Sequence, residues 1–172
     1  MVKIRTTPEE FQVEEQPPLP GLIIKDDINL PFAVFELTKT GWETQALISE
    51  ISKRIGIPVS SWGISGLKDK RSVTSQLVTI SRNYAPKNKV HGSGWTMTPF
   101  GGADRPLKSG DHRGNRFTIT VRDILHRDVQ LLPSRIAQVK SVGIPNWFDS
   151  QRFGSASELS LIHISEPTRH RL

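Results

Sequence analysis

The feature that most constrains the fold is a change of hydrophobic period. Phe32-Ala33-Val34-Phe35-Glu36-Leu37 reads as a strand, ending in a turn at Lys39-Thr40-Gly41. Directly afterwards Leu47, Ile48, Ile51 and Ile55 recur at helical spacing, with Glu50, Lys53 and Arg54 among the polar positions. Such a switch lays an amphipathic helix against a sheet. The helix is predicted from Glu43 to Ile55, capped by Thr40 or Thr44 and stopped by Gly56 and Pro58.

The flanking segments supply the sheet. Phe11-Gln12-Val13-Glu14 alternates as a half-buried strand does, and Pro17-Pro18-Leu19-Pro20-Gly21 after it reads as loop. Leu77-Val78-Thr79-Ile80 is another strand, and Phe117, Ile119 and Val121 share one face of a strand from Arg116 to Val121. Between them, residues 83–114 are rich in Gly, Pro, Lys and Arg, and are predicted to hold one short strand near Val90 to Met97. Leu132, Ile136 and Val139 suggest a second helix within Asp128 to Val142; starting it near Leu132 leaves Pro133 in its first turn. The mixed order of strands and helices predicts an α+β domain with a mixed, largely antiparallel sheet and flanking helices.

Composition excludes several classes. There is no cysteine, hence no disulfide, thiolate metal site or thiol nucleophile, and a reducing cytoplasm is the expected compartment. No apolar run approaches the ~20 residues of a membrane span, and the N-terminus lacks a secretory pattern. His91, His112 and His126 have no ligand spacing, so no metal is expected. The formal net charge of +6 suits a polyanionic partner, since cations placed against phosphates release condensed counterions. A solvated basic surface fits the same number.

The densest chemistry lies in Gly66-Leu67-Lys68-Asp69-Lys70-Arg71-Ser72-Val73-Thr74-Ser75-Gln76. One carboxylate sits among three cations, which favour its ionised form; an ionised Asp is what a nucleophile or general base requires. A charge-rich solvated turn would look the same. Phe11 and Phe117 equally fit core positions of alternating strands, and Asn115 after Gly114 fits a turn.

The window resembles the signature of the TruD family of tRNA pseudouridine synthases, with Ser72 where Ala is usual. Four further blocks are similar to that family, in its order. They are Thr7-Pro8-Glu9-Glu10-Phe11-Gln12-Val13-Glu14, with Glu10 in place of Asp; Phe35 to Thr44, with Glu43 in place of Asn; Gly114-Asn115-Arg116-Phe117; and Gly143 to Gly154, with Trp147 for Tyr and Asp149 for Gly. The resemblance implies the catalytic domain of a pseudouridine synthase, represented by its N-terminal part.

It also implies roles. Asp69 is the catalytic residue, acting at the ribose as nucleophile or base. Phe11, Asn115 and Phe117 shape the uridine pocket, and Lys68 and Arg5 join them in binding substrate. Lys70, Arg71, Lys108 and Arg113 are placed to contact RNA phosphates, which position a nucleic acid without reading its sequence. The partner is tRNA, with position 13 the uridine expected from the family; no cofactor, no metal and no obligatory protein partner is implied. A basic RNA-binding protein without catalysis is the alternative.

The last residues stand apart. Leu159-Ser160-Leu161-Ile162-His163-Ile164-Ser165-Glu166-Pro167-Thr168-Arg169 resembles a translated transposase sequencing adapter. The expected division is therefore a catalytic-domain portion at 1–158 and a foreign tail at 159–172. Family members are longer than this chain, so the domain is expected to be incomplete, to expose a sheet edge and apolar surface, and to be inactive by itself.

Overall fold

The structure, a computed structural model, describes residues 2–18, 21–25 and 29–143, the side chains of residues 23–25 excepted. The tail at 159–172 and the block after Gly143 lie outside the described residues. Residues 1–124 and 125–172 form separate units.

The first unit contains, in chain order, β1 (Lys3–Ile4), β2 (Phe11–Pro18), β3 (Ile23–Lys25), β4 (Phe32–Thr40), α1 (Thr44–Ile55), β5 (Trp62–Ile64), β6 (Val73–Ser81), β7 (Val90–Gly92), β8 (Trp95–Ala103), β9 (His112–Ile119) and β10 (Val121–Arg122). The main sheet runs β3-β8-β4-β6-β2-β9, with β5 on β6 and β7 on β8, while β1 and β10 form a small ribbon. Every pair is antiparallel except β2 with β6. The sheet is therefore mixed and largely antiparallel, as the sequence predicts.

One edge of β6 is divided between two strands. β2 pairs with it at Val73–Ser75 and β5 at Val78–Ile80, whereas β4 follows its other edge for the whole length. The connection from Ser65 to Ser72 leaves β5 and returns to the start of β6, beside β2. That is where Asp69 sits. Gly63 in β5 admits the chain closely: a Cβ there would stand 2.7 Å from the Leu107 backbone and 2.4 Å from Thr79 Oγ1.

The core follows the two periodicities. Ala33, Phe35 and Leu37 alternate on one face of β4 and meet Leu47 and Ile51 of α1, together with Ile57, Val78, Ile80, Trp95 and Met97. The opposite face buries Val34, Leu77, Ala103 and Leu107. Gly56, at φ +73°, ends α1 in the left-handed conformation that favours glycine.

Several expectations are corrected. The N-cap of α1 is Glu43, whose carboxylate accepts from the N–H groups of Gln45 (3.0 Å) and Ala46 (2.7 Å), rather than Thr40 or Thr44. A carboxylate satisfies the orphan donors of a helix start as well as an amide oxygen does, so Glu43 can stand where Asn is usual. β4 continues through Lys39 to Thr40, and the chain turns at Gly41.

β2 continues through Pro17 and Pro18, expected to be loop. Its pairing with β6 stops at Glu14, so on that side no strand bond is lost to the missing N–H groups. The single short strand expected near Val90–Met97 is a hairpin of β7 and β8, the latter nine residues long and paired with β3 and β4. Pro99, Gly101 and Gly102 masked it in sequence. A bulge accommodates them: Phe35 pairs with Pro99 and Val34 with Gly101, leaving Phe100 as the extra residue.

The second unit contributes α2 (His126–Val142), which starts before Leu132 and carries Pro133 inside it. Val129 precedes Leu132, Ile136 and Val139 at helical spacing, so the apolar stripe begins a turn earlier than the proline suggests. No helix among the described residues is long and apolar enough to cross a membrane.

Leu47 is fully buried where α1 meets the sheet. Leu47→Ala is expected to lower the unfolding free energy by about 3 kcal/mol, read as a lower denaturant midpoint at unchanged slope.

Candidate active site

Asp69 lies in the β5–β6 connection, with its side chain 42% exposed. Arg5 Nη1 stands 3.0 Å from Asp69 Oδ2, and the guanidinium lies 3.7 Å from the centre of the Phe11 ring. Phe11 in turn meets Phe117 edge-on, centroids 6.0 Å apart at 64°. Carboxylate, guanidinium and two aromatic rings thus form one chain of contacts across the segment after β1, β2, β9 and the connection.

Register explains the alignment. In the β2–β9 ladder Val13 faces Phe117 and Glu15 faces Asn115, so Phe11, Val13 and Glu15 share a face with Phe117 and Asn115. Asn115 and Phe117 are exposed while Phe11 is buried. The sequence left Phe117 open between core and site; at 55% exposure it is not a core residue here.

Arg5 is held in a backbone conformation that non-glycine residues seldom adopt, φ +59°. The following residues are fastened by Glu10, which is buried: its Oε2 accepts from Thr6 N at 2.8 Å, and its Oε1 pairs with Arg122. The Arg122 guanidinium holds the Glu10 carboxyl below the ordinary range. This local strain positions the cation over Phe11 and against Asp69.

Lys68 turns inward. Its ammonium is 2.6 Å from Glu15 Oε2, and the Lys68 and Glu15 side chains are 4% and 1% exposed. Ser65 Oγ donates to Glu15 Oε1 at 2.6 Å. Lys68, expected to bind substrate, is paired with Glu15 under the loop, since a buried cation without a partner would be costly.

The backbone of the loop is held by side chains. Lys39 Nζ donates to the carbonyls of Trp42 (2.8 Å), Lys68 (3.2 Å) and Asp69 (2.9 Å). Thr44 Oγ1 accepts from Lys68 N at 2.9 Å, Ser72 Oγ donates to Asp69 O at 3.1 Å, and Gln76 Nε2 donates to Gly66 O at 3.1 Å. Burial lowers the Lys39 ammonium to about 8 against the opposing pull of the Asp69 carboxylate. Sequence reading missed Lys39 by assigning it to a turn. Its position in the alternation Ala33, Phe35, Leu37, Lys39 was the available signal.

Lys70 and Arg71 are exposed and, with Arg5, Thr6, Thr7, Pro8 and Gly41, line a cavity of about 340 Å³. Lys108 is exposed on the segment leading to β9, and Arg113 is exposed within that strand. Arg105, basic in the same stretch, is taken up by Asp111 through two hydrogen bonds of 2.7 and 3.0 Å. Among the described residues no three His, Asp or Glu side chains converge as a metal cluster.

A crystal structure of a TruD protein from Methanosarcina mazei matches with a TM-score of 0.76 at 28% identity, covering 89% of this chain and 35% of that one. The family model described as tRNA pseudouridine synthase D (TruD) matches residues 1–162, and the chain belongs to that family. A Pyrococcus abyssi protein named "Probable tRNA pseudouridine synthase D" is 36% identical over 161 residues, 93% of this chain and 38% of its own length. The "tRNA pseudouridine synthase D" of Aquifex aeolicus is 31% identical over 173 residues, 98% of this chain and 44% of its own length. The chain therefore spans well under half the length of these relatives.

Asp111 provides a pH test of the basic segment. The Arg105 hydrogen bonds lower its carboxyl from 3.8 to about 2. A depressed acid contributes stability that is present above its unfolded value and lost as pH falls through the folded one. The Asp111 carboxyl carbon is expected to titrate near 2 by NMR, and Arg105→Gln to move that midpoint back towards 3.8.

Proposed function

We propose that this chain carries the catalytic region of a tRNA pseudouridine synthase, in which Asp69 acts on a uridine, the expected one being position 13. The observation that supports this most is the Asp69–Arg5 pair, 3.0 Å apart and stacked on Phe11 beside Phe117. In the reaction the N1–C1′ bond breaks, the uracil turns, and C5 bonds to C1′. The C5 proton leaves to solvent and N1 is protonated, so the product is an isomer and no cofactor enters the balance.

Each side chain has a part in that sequence. Arg5 pairs with Asp69 and aims it, and the carboxylate acts at the ribose. Phe117, exposed, and Phe11 behind it offer apolar surface to a base taken out of its stack, at a cost of a few kcal/mol. Asn115, on the same face, supplies hydrogen bonds to the nucleotide. Lys70, Arg71, Lys108 and Arg113 take backbone phosphates. The cytoplasm, where tRNA is modified, is the compartment this reading implies, and no obligatory protein partner is part of it.

Turnover needs the detached uracil kept from water. Asp69 and Phe117, at 42% and 55% exposed, are open in this chain. The 172 residues alone are accordingly expected to be inactive, and the relevant assay uses a full-length TruD enzyme bearing residues 1–143 of this chain.

The test is tritium release from tRNA labelled at uridine C5. The parent should release tritium, and Asp69→Asn should reduce the rate on the order of 10³-fold or more while still binding tRNA. An Asp69→Asn variant of undiminished rate would remove Asp69 from the mechanism. Salt-sensitive tRNA binding by a parent that releases no tritium would favour the non-catalytic RNA-binding alternative.

A further inference from the structure

We infer that Lys39 is a positioning residue for Asp69: its buried ammonium ties the backbone of the catalytic loop to the end of β4 and holds the carboxylate where the reaction needs it. This rests on the assignment of Asp69 to the chemistry.

The case begins with an anomaly of placement. Lys39 is 1% exposed, at the end of the row Ala33, Phe35 and Leu37 that otherwise builds the core. A cation there is costly unless its donors are satisfied and a counter-charge is near. Among the described residues no carboxylate oxygen forms a salt bridge with it. Its hydrogen bonds instead go to three carbonyls, two of them belonging to Lys68 and Asp69 themselves.

A neutral side chain could satisfy some of these carbonyls. The charge matters because of what faces it. The charged groups acting on Lys39 are Asp69 and Lys68 of the loop and Glu43 at the start of α1; its ladder partners, Thr74 of β6 and Trp95 of β8, are uncharged. Lys68 is already neutralised by Glu15 and Glu43 is engaged by helix N–H groups. Of the two acids, Asp69, which also pairs with Arg5, pulls on Lys39 more strongly than Glu43 does. The loop thus carries a cation under its backbone and a second cation, Arg5, at the carboxylate itself.

The protonation of Lys39 gives a readout that simple packing would not. Its folded value of about 8 lies below the ordinary 10.5. Burying the charge therefore opposes folding fully below about pH 8, and that opposition fades as pH rises towards 10.5. Global stability gains from this group over the interval in which the clamp loses its charge and a donor. Activity and loop order should fall over the same interval.

The experiment uses the full-length enzyme bearing residues 1–143 of this chain, with hydrogen exchange and tritium release measured from pH 7 to 9.5. In the unsubstituted enzyme, exchange of the Lys68–Ser72 amides, corrected for intrinsic rate, should quicken as pH passes about 8, with β6 amides at Val78–Ile80 unchanged. The kcat should fall over that range at constant KM for tRNA. Lys39→Met should lose on the order of 10²-fold in kcat, keep KM and lack the alkaline limb.

Loop exchange that ignores pH between 7 and 9.5 in the unsubstituted enzyme overturns the inference, whether or not Lys39→Met folds. So does a folded Lys39→Met enzyme with unchanged kcat and pH profile. An unsubstituted enzyme that releases no tritium but shows the pH-dependent loop exchange counts against the pseudouridine synthase reading alone, because the clamp is then seen without the chemistry.

Discussion

The division of one edge of β6 between β2 and β5 is the constraint from which the candidate site follows. A strand that meets a parallel neighbour at its start and an antiparallel one further along leaves room for a connection that belongs to neither ladder. Backbone polar groups in such a connection still need partners when they are buried. Lys39, Thr44, Ser72 and Gln76 provide them, from β4, the first residue of α1, the loop itself and β6. The scaffold thereby reaches Asp69 through side chains rather than through strand pairing.

That arrangement also sorts the surrounding charges. In sequence, Lys68, Lys70 and Arg71 look equivalent around Asp69. In the fold they separate: Lys68 is closed off by Glu15, while Lys70 and Arg71 remain at the surface beside the Arg5 cavity. Arg5, 64 residues from Asp69 in the chain, makes the direct ion pair. Proximity in sequence to the carboxylate is therefore a poor guide to which cation meets it.

The legible parts of the fold were those where a single period governs many residues. The stripe Leu47, Ile48, Ile51 and Ile55 specified α1 because its burial against Phe35 and Leu37 agrees with local propensity. Phe11, Phe117, Arg5 and Asp69 were singled out by resemblance, and the structure brings them into contact. β8 was not legible, since Pro99, Gly101 and Gly102 speak for loop and only pairing on both sides, with a bulge, overrides them. The inward turn of Lys68 was hidden as well: its partner Glu15 is more than 50 residues away and no local pattern links the two.

The departures from the family's usual residues are informative for the same reason. Glu43 in place of Asn leaves the start of α1 capped, and its N–H partners hold its carboxyl below the ordinary range. With the cap made by residue 43, the Thr44 hydroxyl is free to bond Lys68. Glu10 in place of Asp reaches both Thr6 N and Arg122, so the segment after the strained Arg5 stays anchored. Each replacement places a carboxylate oxygen at a backbone N–H. The support of the loop therefore begins well outside it, at the start of α1 and in the segment after β1.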